Sequence, residues 1–317
     1  MRSGGGSSEA NLICYALWED SIEPIERPLY IFEGGYLLGG IRNNVKTLSS
    51  ALGISIHTSI LADDIVMKIM SRISKIFISH AHLDHISGLI VADLFQNRYR
   101  LTRVQADARL KVYSIPQVNA KLGEIAAIKL SGLELHEFNT LEDTGTLQVE
   151  AYPVMHGGFP QVSSSCFAVA LGSTVICGDL QPSYTTQTSS KTGATLWSMV
   201  SAKMTHLLIE VAYPDSTDTS GKLVPKASRT LFGHLSPYYL LLELFDLALA
   251  KTKTESVTPD EDYWINQIDI SVMDTSLNDE LYQQYSGQFS GDSIEWTAWL
   301  NDRKRRIIAR KNIVNLI

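Results

Sequence analysis

Cysteine is nearly absent from this chain. Only Cys14, Cys166 and Cys177 occur in 317 residues, each in an apolar run and none in Cys-x-x-Cys spacing. That excludes a disulfide framework and points to buried thiols in a reducing compartment, so the expected location is cytoplasmic. No apolar run approaches the ~20 residues of a membrane span, and the first residues lack the charged-then-apolar order of a signal peptide, so no membrane association is expected. Positive charge is also short: 27 Lys and Arg stand against 34 Asp and Glu, a formal charge of −7. That balance argues against a broad nucleic-acid surface, although a local basic groove stays compatible with it. At 44% hydrophobic and 19% charged residues, the chain reads as globular and long enough to bury a large core.

Histidine is scarce too, at 8 residues, yet three fall within Ser79-His80-Ala81-His82-Leu83-Asp84-His85-Ile86-Ser87-Gly88. The cluster follows the apolar run Lys75-Ile76-Phe77-Ile78 directly. At a strand end side chains alternate, so His80 and His82 would point the same way and share one ion. Asp84 and His85 come after the chain begins to turn and can aim at a second ion. Imidazole and carboxylate without thiolate suit Zn²⁺, Mn²⁺ or Fe better than the hard cations Mg²⁺ and Ca²⁺. Two ions about 3.5–4 Å apart can clamp the oxygens of a displacement reaction.

Along the chain, strands are expected over Asn11 to Trp18, Pro28 to Glu33 and Lys75 to Ser79, and helical periodicity covers Val45 to Leu52 and Ile65 to Ile73. A helix from Asp84 to about Phe95 follows the motif, then a short strand Leu110 to Tyr113, a helix after Pro116 and a strand near Leu133. Such alternation predicts a layered α/β domain. Further on, Leu147 to Val154 alternates as a strand and leads into Met155-His156-Gly157-Gly158, which places His156 for close approach to an ion. Cys166 to Leu171 and Thr174 to Cys177 read as paired strands around Gly172-Ser173, the second ending at Gly178-Asp179. A carboxylate that bridges two cations is the part the histidines lack, so Asp179 is expected to be a ligand.

The apolar strand Met204 to Val211 carries His206, read as a structural histidine among Leu and Ile positions, and Glu210 near its end. Leu231-Phe232-Gly233-His234-Leu235-Ser236-Pro237 then introduces an apolar helix, Tyr238 to Ala250, with His234 in the cap region where an anion such as phosphate is favoured.

These residues carry a family resemblance. His80-Ala-His-Leu-Asp-His-Ile-Ser-Gly-Leu-Ile-Val91 resembles the signature of class II cyclic-nucleotide phosphodiesterases within the metallo-β-lactamase superfamily. Met155-His156-Gly157, Gly178-Asp179 with Pro182, Ile209-Glu210 and Gly233-His234-Leu235-Ser236-Pro237 are similar to its later motifs, in order. The resemblance covers about Gly4 to Asp274. It implies an αββα sandwich, with residues 1–275 as the phosphodiesterase domain and 276–317 as a C-terminal helical extension. It also implies two divalent ions, Zn²⁺ foremost with Mn²⁺ or Fe as alternatives: His80, His82 and His156 on the first, Asp84 and His85 on the second, and Asp179 bridging. Metal-bound hydroxide would convert a 3′,5′-cyclic nucleotide, cyclic AMP or cyclic GMP, to a nucleoside 5′-monophosphate, with Asp84, Glu210 and His234 as catalytic residues. A homodimer is expected by the same resemblance.

The chain also departs from the pattern. Asp93 and Leu94 stand where the signature continues with Ser and a small residue or Pro. The last core strand, Ile268 to Asp274, has Val272 where a further His for the second ion is expected, and no His follows His234. Either His234 completes the second ion's shell, or it pairs with Glu210 and donates a proton or hydrogen bond to the phosphate, as related ribonuclease Z enzymes do. In the second case water or Asp274 fills the second shell. Before Gly4-Gly5-Gly6 the family has a strand where this chain has three residues, so a truncated or misassigned start is expected. Leu277 to Tyr285 and Ile294 to Lys311 read as helices, the latter with Trp296, Trp299 and the basic run Arg303-Lys304-Arg305-Arg306. Tyr113 is a candidate for stacking on the nucleobase. The alternatives are another hydrolase of the fold (ribonuclease Z-like, sulfatase or thioesterase) and a catalytically weakened ligand sensor.

Overall fold

In this computed structural model the described residues are 14–57, 62–102, 109–126, 130–138, 141–143, 148–154, 156, 166–182, 204–211, 213, 215–217, 219, 223–224, 233–236, 238–240, 243, 269–274 and 307–310. The glycine turn at 4–6, the Gly157-Gly158 pair, most of the helix expected over 238–250, and segment 277–285 lie outside them. The chain divides into two compact units, Met1–Phe138 with Lys311–Ile317 and Asn139–Arg310.

The first unit holds β1 (Tyr15–Leu17), β2 (Leu29–Phe32), α1 (Leu37–Asn43), α2 (Val45–Ala51), α3 (Ala62–Met70), β3 (Ile73–Phe77), α4 (Leu83–Thr102), β4 (Leu110–Ser114), α5 (Pro116–Ala126) and β5 (Leu133–Glu137). Its five strands form one sheet in sequence order. β1 pairs antiparallel with β2, and β2 to β5 are parallel neighbours. Parallel strands need crossover connections, and α1 to α5 supply them. Because both faces of such strands are covered, β2 is buried along its whole length. α3 buries Ile65, Val66, Ile69 and Met70, the one-sided spacing of a surface helix.

α4 starts in the motif and lies close to the end of β2. A Cβ on Gly88 would stand 2.4 Å from the Gly34 carbonyl oxygen and 2.5 Å from that of Gly35, so only glycine admits this approach. Asp93, which departs from the family pattern, has a structural task midway along the helix, where it is fully buried. Its Oδ1 accepts the Gly132 N–H at 2.6 Å and its Oδ2 accepts the Asn97 amide at 2.9 Å, tying α4 to the turn before β5.

The second unit holds β6 (Leu141–Asp143), β7 (Gln148–Val154), β8 (Cys166–Leu171), β9 (Thr174–Cys177), β10 (His206–Val211), β11 (Ser216–Thr217), β12 (Leu223–Val224), β13 (Asp269–Asp274) and β14 (Ile307–Arg310). Seven strands form a sheet in the order β14-β13-β10-β9-β8-β7-β6, and β11 and β12 make a separate pair. β6 to β9 pair antiparallel and β9, β10, β13 and β14 parallel. The helix expected over Ile294 to Lys311 is corrected in its described part. Ile307 to Arg310 runs beside β13, with Ala309 opposite Val272. β-branched isoleucines fit a parallel ladder at least as well as a helix, and pairing with β13 outweighs the helical spacing of the preceding tryptophans.

Among the described residues no helix is long and apolar enough to cross a membrane. All three cysteines are buried thiols. Burial pushes Cys14 up to about 12 and raises Cys177 further, so both stay protonated at neutral pH.

Candidate metal centre

In the first unit the motif sits beyond the end of β3, not on it. β3 ends at Phe77, and the Ile78 N–H still bonds the Tyr113 carbonyl at 3.0 Å. Residues 78–82 are irregular, so strand alternation does not bring His80 and His82 together; the tight turn into α4 does. The His85 N–H bonds the His82 carbonyl at 3.1 Å, and the His80 ring lies 4.4 Å from that of His82 and 4.0 Å from that of His85. His80 Nδ1 is engaged by the Ser79 hydroxyl at 2.9 Å, which fixes the ring and puts Nε2 at its far end. Asp84 occupies the first turn of α4, with Oδ2 3.6 Å from His85 Nε2.

His85 is oriented by a residue that sequence reading passed over. Glu33, fully buried, places Oε2 3.2 Å from His85 Nδ1 and accepts the Ser79 N–H at 3.3 Å. Its φ of 64° is a left-handed conformation that glutamate seldom adopts. Two backbone bonds hold it there: Glu33 N–H to Phe77 O at 2.8 Å and Gly34 N–H to His85 O at 2.7 Å. The signal was available, because Phe32-Glu33-Gly34 ends a strand in an acid beside glycine, as Cys177-Gly178-Asp179 does.

In the second unit His156, Asp179, Glu210 and His234 converge. His156 and Asp179 follow β7 and β9, and Glu210 is the penultimate residue of β10. The His156 Nδ1–H donates to the Gly233 carbonyl at 2.9 Å, which sets the tautomer with a lone pair on Nε2. That lone pair faces Asp179 Oδ2 at 3.3 Å. Two lone pairs at this distance require a proton or a cation between them. Two ligand atoms each about 2.0–2.1 Å from a common tetrahedral ion are separated by about this much, so the donor set fits a metal.

Glu210 is buried beside Asp179. Burial first, then the Asp179 charge and a hydrogen bond with it, push the Glu210 carboxyl up to about 8, with the His234 imidazole opposing. His234 Nδ1 lies 3.9 Å from Glu210 Oε2 and 3.7 Å from Asp179 Oδ1. Glu210 therefore neighbours both the expected bridge and the expected proton donor. His206, expected to be structural, has Nδ1 at 2.8 Å from the Thr205 hydroxyl. Tyr113 is corrected: it is 6% exposed, stacks on His136 at 4.7 Å and carries Lys75 Nζ 4.4 Å from its ring centre, so it is not an open stacking surface.

Residues 71–215, which span the His80–His85 motif, His156, Asp179 and Glu210, match the family described as the Metallo-beta-lactamase superfamily. Over that stretch the chain is similar to this superfamily. A probable 3′,5′-cyclic-nucleotide phosphodiesterase of Yersinia pestis is 28% identical over 273 residues, covering 76% of this chain and 68% of that one. A 3′,5′-cyclic-nucleotide phosphodiesterase of Aliivibrio fischeri is 23% identical over 264 residues, covering 77% of this chain and 73% of that one. The crystal structure of unliganded yeast PDE1 superposes with a TM-score of 0.62 at 16% identity, covering 100% of this chain and 96% of that one. At that identity the structural likeness speaks for the metallo-β-lactamase fold.

Proposed function

We propose that this protein is a class II, metal-dependent phosphodiesterase that opens 3′,5′-cyclic nucleotides, cyclic AMP or cyclic GMP, to nucleoside 5′-monophosphates. The observation that carries the reading is the His156 Nε2 lone pair held against Asp179 at 3.3 Å; the activity named for the similar proteins directs it to cyclic nucleotides.

In this proposal His80, His82 and His156 hold the first divalent ion, Asp84 and His85 the second, and Asp179 serves both. Zn²⁺ suits the nitrogen-rich first set best, with Mn²⁺ or Fe also matched to it. When bound, such ions make water nucleophilic at neutral pH and neutralise charge gathering on phosphoryl oxygens. The protein's own groups do the rest. Ser79 and Gly233 fix the rings of His80 and His156, and Glu33 fixes that of His85. Glu210, kept protonated near neutrality by burial, hydrogen-bonds within its pair with Asp179 and sets the His234 imidazole. His234 donates a proton to the ribose O3′ as the P–O3′ bond breaks, leaving the phosphate on O5′. β13 carries no histidine, so the second ion has the poorer shell and is held less tightly. The buried thiols suit a reducing compartment, so the proposed location is cytoplasmic, and the proposed assembly is a homodimer.

Incubation of metal-loaded protein with cyclic AMP, cyclic GMP and bis(4-nitrophenyl) phosphate tests the reading. Cyclic nucleotides should be consumed at rates that fall to background on chelation. Turnover of the synthetic diester alone would point to another hydrolase of the fold, and turnover of none to a ligand sensor.

A further inference from the structure

We propose that Asp215 is a positioning residue for His234: its buried carboxylate clamps the side chain of Ser236 and the backbone of Tyr238, and so sets the segment that carries the imidazole. The inference rests on the role of His234 proposed above. Asp215 lies four residues after the end of β10 and is 3% exposed. Oδ1 accepts the Ser236 hydroxyl at 2.6 Å and Oδ2 accepts the Tyr238 N–H at 2.8 Å.

These bonds replace an ordinary helix cap. The Leu240 N–H donates to the Ser236 carbonyl at 2.9 Å, which makes Ser236 the cap residue of the helical turn at 238–240 and Tyr238 the second residue inside it. A cap serine usually accepts one of the first N–H groups itself. Here Ser236 instead donates into Asp215, and Asp215 accepts the Tyr238 N–H in its place. A carboxylate at the positive end of a helical turn is favoured, and bonds to a charged acceptor are roughly twice as strong as neutral ones.

The other side of His234 is anchored as well. Gly233, at a φ of 89° open to glycine, presents its carbonyl to His156 Nδ1 at 2.9 Å. The Leu235 carbonyl accepts the Tyr213 N–H at 3.4 Å, and the Tyr213 ring stands edge-on to that of His234 at 5.6 Å. His234 is therefore suspended between the His156 anchor and the Asp215 clamp. Its distances of 3.7 Å to Asp179 and 3.9 Å to Glu210 leave its function sensitive to small displacements; a misplacement of about 1 Å costs roughly 10²-fold in rate.

The chemistry requires a carboxylate. Both partners are donors, an O–H and an N–H, so both oxygens must accept. Asn would turn an amide NH₂ toward one of them and break that arm while keeping the shape. Nothing in Pro214-Asp215-Ser216 distinguishes this aspartate from a surface turn in sequence; its burial and its two partners do.

The test is a double-mutant cycle in the metal-loaded full-length protein, with Asp215→Asn, His234→Ala and the pair, beside a ¹³C-histidine NMR spectrum of the metal-free protein. Asp215→Asn should lower kcat for cyclic AMP by about 10- to 100-fold with KM changed less than about threefold, and the pair should be within about twofold of His234→Ala alone. The ring resonance lost in His234→Ala should shift or broaden in Asp215→Asn, while that of His206 stays in place. Wild-type kcat in Asp215→Asn, losses that multiply in the double variant, or equal movement of the His206 and His234 resonances would each overturn the clamp. If the wild-type protein cleaves no phosphodiester, the proposed function fails instead, and the NMR arm still decides whether Asp215 sets His234.

Discussion

Asp179→Asn should reduce kcat/KM for cyclic AMP by about 10³-fold, some 4 kcal/mol of transition-state stabilisation, without lowering the melting temperature of the metal-free protein. The two halves of this expectation have different causes. With metal, the substitution removes the only carboxylate oxygens proposed to serve both ions and puts a neutral amide against His156 Nε2, now 3.3 Å from an anionic oxygen. Without metal, the same carboxylate is a liability. It is 1% exposed beside Glu210, whose carboxyl its charge helps push up to about 8, and a buried anion held without a cation destabilises the fold. A purely structural Asp179 would lose stability and activity together. Activity assays with chelated-state calorimetry on the same preparation separate the outcomes.

Glu33→Ala should destabilise the protein by about 3 kcal/mol, because the buried Ser79 N–H loses its acceptor and the buried His85 imidazole its carboxylate neighbour. The carboxylate serves His85 Nδ1 at 3.2 Å and the Ser79 N–H at 3.3 Å, at a fully buried position. Alanine does not relieve the left-handed backbone at φ 64°. Glycine does, by about 1 kcal/mol, so Glu33→Gly should be less damaging than Glu33→Ala and still less stable than the wild type. Urea midpoints of the three proteins measure the order. A Glu33→Gly variant more stable than the wild type would show that backbone strain outweighs the buried hydrogen bonds and that Glu33 does not support the motif.

Much of the second unit's sheet was legible because its strands are short apolar runs punctuated by turn residues. Cys166 to Leu171 and Thr174 to Cys177 were bounded by Gly172-Ser173 and by Gly178, and the structure keeps those limits. α1 was not legible, since Leu37-Leu38-Gly39-Gly40 reads as a loop by helix propensity. Packing compensates: the Tyr36 ring lies over Gly39, where a Cβ would stand 2.3 Å from it. β14 was misread because its ladder partner, β13, is more than thirty residues away and no local pattern announces a parallel pairing.

The candidate site was legible through its histidines and through acids standing next to glycine at strand ends. The residues missed are those whose role is to hold others. Glu33, Asp93 and Asp215 each look like ordinary acids in turns or on a helix face. Burial and hydrogen-bond partners identify them, and both depend on tertiary contacts. The strand-end argument for His80 and His82 assumed a geometry the structure does not have, because β3 stops at Phe77 and the turn into α4 brings their rings together.

The central claim is metal-dependent hydrolysis of a cyclic phosphodiester by these ligands. Its most direct test is to strip the protein of metal, titrate Zn²⁺ or Mn²⁺ back, and follow cyclic AMP by ³¹P NMR while metal binding is recorded. The account predicts no turnover in the stripped protein, and 5′-AMP formation that returns with metal and follows filling of the weaker second site. Turnover that survives stripping, or full metal occupancy with cyclic AMP left intact, would contradict it.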